Sequence, residues 1–535
     1  MAAGLGLIPG MASATPTVPA APVAEKTYDS PADRTVRTTL PTVSRATAAG
    51  GNKDLRVGVG GHSSTALGLE IKTEVTSEDV PLDVTIDWGD GTTTEFTTKG
   101  TGEQQHPHTY TEVGEYPVKV TVVDGTNGVR AENGLTHLTL GTEFNPYAPT
   151  RLLDTRNGTG TKAGKVAGRG HTRVKVAGTG GIPAGGSGVA SGVDSVALNV
   201  TVTNTVAPGH VTVWEGDDTG IPETSNLNYA TGQSVSNTVI AKVGSDGYVD
   251  LFNGGWSPVD LVVDITGYFT YKAASGYTAL KPTRFADTRE GLGTAKGQVP
   301  ARTSFQTRVG GVNPVPGGIT AVALNVTATN PKDAGHLSLY PSGAMVPTAS
   351  SLNFAAGETV ANSVIVPVGA DGMVNVFNGG WAPTDVVIDV VGYYSKDSKA
   401  AYLPTGTHRT LDTRKPGSWY GGGKFPARDY IAQGFSVIDD PAGVEAFVLN
   451  TTVTNTTDTG FLSVAPGPFP WLVNDQPGAP VAPRPVSSNL NWTAGKTVPN
   501  MVQAGDGEHG IIHFWNQGWK DADLIVDVFG VYQTK

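Results

Sequence analysis

The chain is 535 residues long, with 16% charged and 38% hydrophobic residues, 71 Gly, 36 Pro and a formal net charge of −11. That length exceeds the ~250 residues at which a single core stops growing, so several domains are expected. The excess of acid over base excludes a binder of nucleic-acid phosphates, which needs clustered Lys and Arg, and the absence of Cys excludes disulfides and thiolate metal sites.

In chain order, Met1 to Ala14 is an apolar stretch ending in Ala12-Ser13-Ala14, an A-x-A pattern of the export-signal kind that lacks a basic leading region. Pro16 to Gly51 is rich in Pro, Thr, Ala and Ser, and residues 1–51 are expected to be a signal remnant and a disordered linker. No stretch reaches about 18 consecutive apolar residues, so no membrane-spanning helix is expected.

From about Asp54 to Leu140, short runs such as Leu82 to Ile86 and Tyr116 to Val122 alternate apolar and polar residues, the period of half-buried strands. Between them Asp87-Trp88-Gly89-Asp90-Gly91-Thr92 supplies an Asp-Gly turn, and His108-Thr109-Tyr110, Gly114-Glu115-Tyr116 and Val118 to Asp124 follow. In that order the motifs resemble the PKD (polycystic kidney disease) domain family over residues 52–145. The resemblance implies an immunoglobulin-like β-sandwich of the kind used as a spacer or binding module in secreted bacterial proteins, with Trp88 in its core.

The remainder repeats itself three times, over 146–272, 273–397 and 398–535. Asp154-Thr155-Arg156 recurs as Asp287-Thr288-Arg289 and Asp412-Thr413-Arg414, and Leu198-Asn199 as Leu324-Asn325 and Leu449-Asn450. From Asn228, Asn353 and Asn491 onward, Asn237, Asn253 and Asp264 and their counterparts follow at nine, sixteen and eleven residues in all three copies. Val-rich runs separated by Gly, Pro and Asn give about eight short strands per copy. The predicted class is therefore all-β: an immunoglobulin-like sandwich followed by three sandwich or jelly-roll-like repeats. The third copy carries a Pro-rich insertion, Pro466 to Pro485, that reads as a surface loop. The markers LDTR (Leu153 to Arg156), LNVT (Leu198 to Thr201), SNLN (Ser225 to Asn228) and VD-x-x-GY (Val263 to Tyr268) resemble a repeat of secreted actinobacterial proteins. That resemblance implies a secreted or cell-surface location and no particular chemistry.

No serine-hydrolase elbow, zinc-protease HExxH or phosphate loop occurs, and His210 and His336 are matched by Phe461 in the third copy, so no enzyme is expected. Asp154, Asp287 and Asp412 stand two residues before Arg156, Arg289 and Arg414. Each pair either braces its own fold or presents the guanidinium to an acidic sugar or a partner carboxylate. Asn199, Asn325 and Asn450 interrupt apolar runs, and are expected to bond backbone groups of adjacent strands, because an unpaired buried amide costs about 1–3 kcal/mol. Asn253, Asn378 and Asn516 are read as further structural anchors. Trp256, Trp381 and Trp519 each follow a Gly at the end of a loop, where they plug the sandwich or offer a flat face to sugar; the plug is the preferred expectation. Asp246, Asp260, Asp371 and Asp385 are weak Ca²⁺ candidates, with no cofactor otherwise expected. The functional expectation is an extracellular structural or adhesive protein that holds a polysaccharide or a surface protein. The alternatives are a lectin-like array acting through the Gly-Trp loops, and an accessory region of a secreted hydrolase.

Overall fold

The computed structural model describes residues 25–40, 51–216, 220–415, 423–435, 443–467 and 484–535. The export-signal stretch and nearly all of the Pro-rich insertion lie outside the described residues. Every regular element described is a β-strand, apart from single 3-10 turns at Ala32–Arg34 and Glu508–Gly510.

The head is built from β1 (Lys26–Ser30), β2 (Val36–Thr39), β3 (Arg56–Ser63), β4 (Gly68–Thr76), β5 (Pro81–Asp87), β6 (Thr93–Lys99), β7 (Gly102–Thr109), β8 (Glu115–Asp124) and β9 (Val129–Leu138). Its two sheets have the orders β1-β3-β4-β7 and β2-β9-β8-β5-β6. Alternation along β4, β5 and β8 puts Leu69, Ile71, Val84, Ile86, Val120 and Val122 into the space between them. Trp88 is buried there, its ring stacked on His108 at 4.5 Å, while Tyr110 Oη donates to the Trp88 carbonyl at 3.1 Å. The linker expectation is corrected for residues 25–40. Lys26–Ser30 pairs with β3 and Val36–Thr39 with β9, because backbone groups on an open sheet edge accept a partner strand whatever its side-chain pattern.

The first repeat unit folds as β10 (Glu143–Asp154), β11 (His171–Lys175), β12 (Val193–Thr203), β13 (Gly209–Glu215), β14 (Leu227–Tyr229), β15 (Val235–Lys242), β16 (Tyr248–Asn253) and β17 (Asp260–Thr270). One sheet runs β10-β17-β12-β15 and the other β11-β16-β13-β14. Counted within the unit, the orders are 1-8-3-6 and 2-7-4-5, the double wrap of a jelly roll. The second and third units reproduce both orders between Gly276 and Ser395 and between Ala401 and Gln533.

The units do not string out; they close into a ring about a common axis. In β12 the residues Val196, Leu198, Val200 and Val202 fill the unit's own sandwich, so Ala197 and Asn199, alternating with them, point to the opposite face. That face is buried against the other two units. On the axis two layers of aromatics meet, Phe144, Tyr277 and Tyr402 in one and Phe269, Tyr394 and Tyr532 in the other, with Ala197, Ala323 and Val448 among them. Gly267, Gly392 and Gly530 let the first layer lie flat, since a Cβ there would sit 2.0 to 2.4 Å from the side chain of Phe144, Tyr277 or Tyr402.

The head packs on one end of this ring. Thr142 and Tyr402 exchange backbone hydrogen bonds, and the Ala66 amide donates to Gln533 Oε1 at 2.9 Å. Strand β15 fixes which end that is. Its Lys242 lines a cavity shared with Lys26 and Leu138 of the head, whereas its Val235 lines a second cavity on the axis. The seven steps between them span roughly 23 Å.

Candidate functional site

The end of the ring away from the head carries the candidate site. Here each unit presents a Gly-Trp loop, and Trp256, Trp381 and Trp519 are 85%, 77% and 72% exposed. The plug expectation is thereby corrected. The loop is clamped from below by a side-chain amide that uses both ends. Asn253 Oδ1 accepts from the Gly255 amide at 3.0 Å, and its Nδ2 donates to the Ser257 carbonyl at 2.9 Å and to Ala167 at 3.0 Å. Asn378 does the same with Gly380 and Ala382, and Asn516 with Gly518 and Lys520. With the amide spent on backbone, the loop has no room to fold inward and the indole is left outside.

A second device stiffens the platform. Arg169 lies over the Trp256 ring at 5.7 Å and over Phe252 at 4.7 Å, so its guanidinium is held between two aromatic faces. Arg302 sits in the same way against Trp381 and Phe377, and Arg428 lies 4.7 Å from the Trp519 centroid. Each guanidinium also donates to a loop carbonyl: Gly254 at 3.1 Å, Gly379 at 2.9 Å and Gln517 at 2.9 Å. All three arginines have left-handed backbones, with φ of 58°, 56° and 58°, a conformation that disfavours any residue with a Cβ. Sequence reasoning missed them. Their signal was a recurrence at 13, 13 and 14 residues after Arg156, Arg289 and Arg414.

His210 and His336 lie beneath the same loops, since a Cβ on Gly254 or Gly379 would meet their Nε2 at 2.0 and 2.1 Å. Burial holds both imidazoles below their ordinary pKa, and a neighbouring arginine, Arg169 or Arg302, adds to the effect. They support the loop as apolar rings do, which accounts for Phe461 in the third unit.

The remaining anchors are structural. Arg156 grips Asp154 through two bonds of 2.8 and 2.6 Å, and Arg289 and Arg414 repeat this with Asp287 and Asp412. These guanidiniums brace the turn after the unit's first strand while staying partly exposed to solvent. Asn199, Asn325 and Asn450 find their partners in the next unit around the ring, not in strands of their own. Asn199 Nδ2 donates to the Ser350 carbonyl at 2.5 Å, Asn325 to Ser488, and Asn450 to Ser225 at 2.7 Å.

The four calcium candidates are dispersed. Asp260 accepts from Thr155 and Asn204, and Asp385 from Thr288 and Asn330. Asp246 pairs with Arg173, and Asp371 with Ser342. Among the described residues no group of three or more acids or histidines converges as a metal would require.

No protein-family profile matches the chain, and no curated protein matches it. Among solved structures, a chain of the Sulfolobus turreted icosahedral virus is similar at 10% identity over 73% of this chain and 91% of that one, with a TM-score of 0.14. A superposition that weak carries no argument about fold or role. What the ring end offers chemically is three stiffened, solvent-facing indoles, each with one face against a guanidinium and the other open.

Proposed function

We propose that the chain is a non-enzymatic adhesive protein acting outside the cell, which holds polysaccharide through the three Trp platforms at the end of its ring. The observation that carries this reading is the exposure of Trp256, Trp381 and Trp519 on loops held from below by Asn253, Asn378 and Asn516. A chain that leaves three large apolar rings in water at equivalent positions presents a contact surface. Flat aromatic faces on rigid loops suit the C–H faces of sugar rings. Three weak sites fixed on one body also gain avidity without new contacts, because the second and third binding events become intramolecular. The recurring polar side chains that catalysis would draw on are used in packing and hydrogen bonding, which supports a binding role.

The test is binding of the full chain to an array of cell-wall and plant polysaccharides, beside Trp256→Ala, Trp381→Ala and Trp519→Ala. Wild-type capture on at least one polysaccharide is expected, with each single variant weaker by about tenfold or more and the triple variant silent. Capture that survives in the triple variant moves binding elsewhere on the molecule, and a silent wild type removes the polysaccharide reading.

A further inference from the structure

Although the three platforms repeat in sequence, their surroundings do not. Each Gly-Trp loop faces a tight turn contributed by the preceding unit around the ring. Beside Trp256, a groove of about 460 Å³ is formed by His210 and Asn228 of the first unit together with Gly495, Lys496 and Thr497 of the third. The volume lies within the range of about 300–1,000 Å³ common for small-ligand sites. The equivalent turns carry Gln233 in the first unit and Glu358 in the second, each four residues before Asn237, Asn362 or Asn500. Gln233 Oε1 accepts from the Ala230 amide at 2.8 Å and Glu358 Oε2 from Ala355 at 3.1 Å, so both side chains fold back to cap their own turn. Lysine has no acceptor and cannot do this. The Lys496 ammonium makes no ion pair among the described residues, and neither does Arg169 under Trp256. No Asp or Glu lines the groove.

We infer that the Trp256 groove is the one platform built for an acidic saccharide, a uronate whose ring stacks on the open face of the indole while its carboxylate meets Lys496. This inference rests on the platform reading above and adds the ligand class to it. The Trp256 groove pairs Lys496 with the neutral Gln233, which also lines it; by the ring's symmetry Glu358 takes the corresponding places beside the Trp381 and Trp519 loops and repels an anion at both. One platform is thereby specific for a charged residue of the polymer and two serve its neutral stretches.

The experiment is calorimetric titration of the full chain at low salt with an oligogalacturonate and, separately, with its methyl ester, which keeps the sugar and removes the charge. The acid is expected to bind about tenfold more tightly than the ester, the scale of a charge-assisted pair at a partly exposed site. Lys496→Gln, which installs the residue the first unit already tolerates, is expected to remove that preference and leave ester binding intact. Trp256→Ala is expected to remove the high-affinity acid site. Equal affinity for acid and ester, or a preference that survives Lys496→Gln, overturns the uronate assignment while the platform reading stands. Binding of neither probe, with no capture on the array, overturns both.

Discussion

Asn450 in the third unit donates its side-chain amide to the carbonyl of Ser225 in the first, 2.7 Å away and 225 residues earlier in the chain. Together with Asn199 to Ser350 and Asn325 to Ser488, this bond closes a cycle of three like contacts. The interfaces are head-to-tail, and a head-to-tail contact that rotates by a third of a turn per step closes into a ring. Closure within one chain means that no unit has its axial face covered until the other two are in place.

The closing amide sets the first prediction. Asn450 also accepts from Asn237 Nδ2 at 3.0 Å, so replacing it with Leu orphans the Ser225 carbonyl and leaves Asn237 Nδ2 only its bond to the Asn226 carbonyl. Loss of about 1–3 kcal/mol is expected for Asn450→Leu, the penalty for buried groups left without partners. Urea unfolding measures it. The three units are expected to unfold in one transition before and after the substitution; separate transitions for single units would contradict a shared axial core.

The axis contains one break in symmetry. At the position held by Ile240 and Ile365, the third unit has Gln503, which donates to Tyr394 Oη at 2.7 Å and to Tyr532 Oη at 2.9 Å, while the two hydroxyls lie 2.6 Å apart. The first unit has Phe269 where these tyrosines stand. Gln503→Ile alone is expected to destabilise by about 1–3 kcal/mol, because the hydroxyls lose a partner. Gln503→Ile with Tyr394→Phe and Tyr532→Phe removes the whole polar set and is expected to recover most of that loss. Non-additivity of at least ~1 kcal/mol in the cycle is the measurement.

Which of these features could be read from the chain alone follows from what side-chain periodicity reports. The stretch from Val196 to Val202 alternates apolar with small or polar residues, so β12 was legible as a strand with a core-facing side. On the other side Asn199 was expected to bond backbone within its own unit, and only the fold shows that this side is an interface whose partner, the Ser350 carbonyl, lies in the next unit. Strand β14 is three residues long, too short for any period, and was not legible. At the site, the recurrence of Gly-Trp located the loops, but burial of the indoles was the wrong expectation. The choice between inward and outward is made by Asn253 and Arg169, one sixteen residues beyond its nearest recurring Asn and the other on a different strand connection. Lys496 was invisible as a site residue because its groove exists only across the ring closure.

A pH dependence follows for the head. Burial, with the nearby Lys26 charge adding to it, lowers the His137 pKa to about 4, against ~6.5 in an unfolded chain. Between those values the unfolded chain binds a proton that the folded head refuses, so stability falls as pH drops from about 6.5 towards 4, by at most ~1.4 kcal/mol per pH unit. Melting of the head followed between pH 7 and 4 is expected to show this slope, and His137→Phe, which keeps a ring against Tyr28, to flatten it.

The left-handed arginines allow stability and binding to be separated. Arg169, Arg302 and Arg428 hold a backbone conformation that costs about 1–2 kcal/mol for a residue with a Cβ, in a chain that uses Gly freely elsewhere. Strain kept at three equivalent positions implies that the side chain is needed there, and the contact each guanidinium makes is with the exposed indole and its loop. Changing all three to Gly relieves the strain and forfeits hydrogen bonds to Gly254, Gly379 and Gln517 of about 0.5–1.5 kcal/mol each, so the melting temperature is expected to stay within a few degrees of wild type. Polysaccharide capture is expected to fall about tenfold or more, since each platform loses its stiffening stack and the losses multiply across tethered sites. A triple variant that melts normally and binds as well as wild type would leave the arginines without a role in the platform.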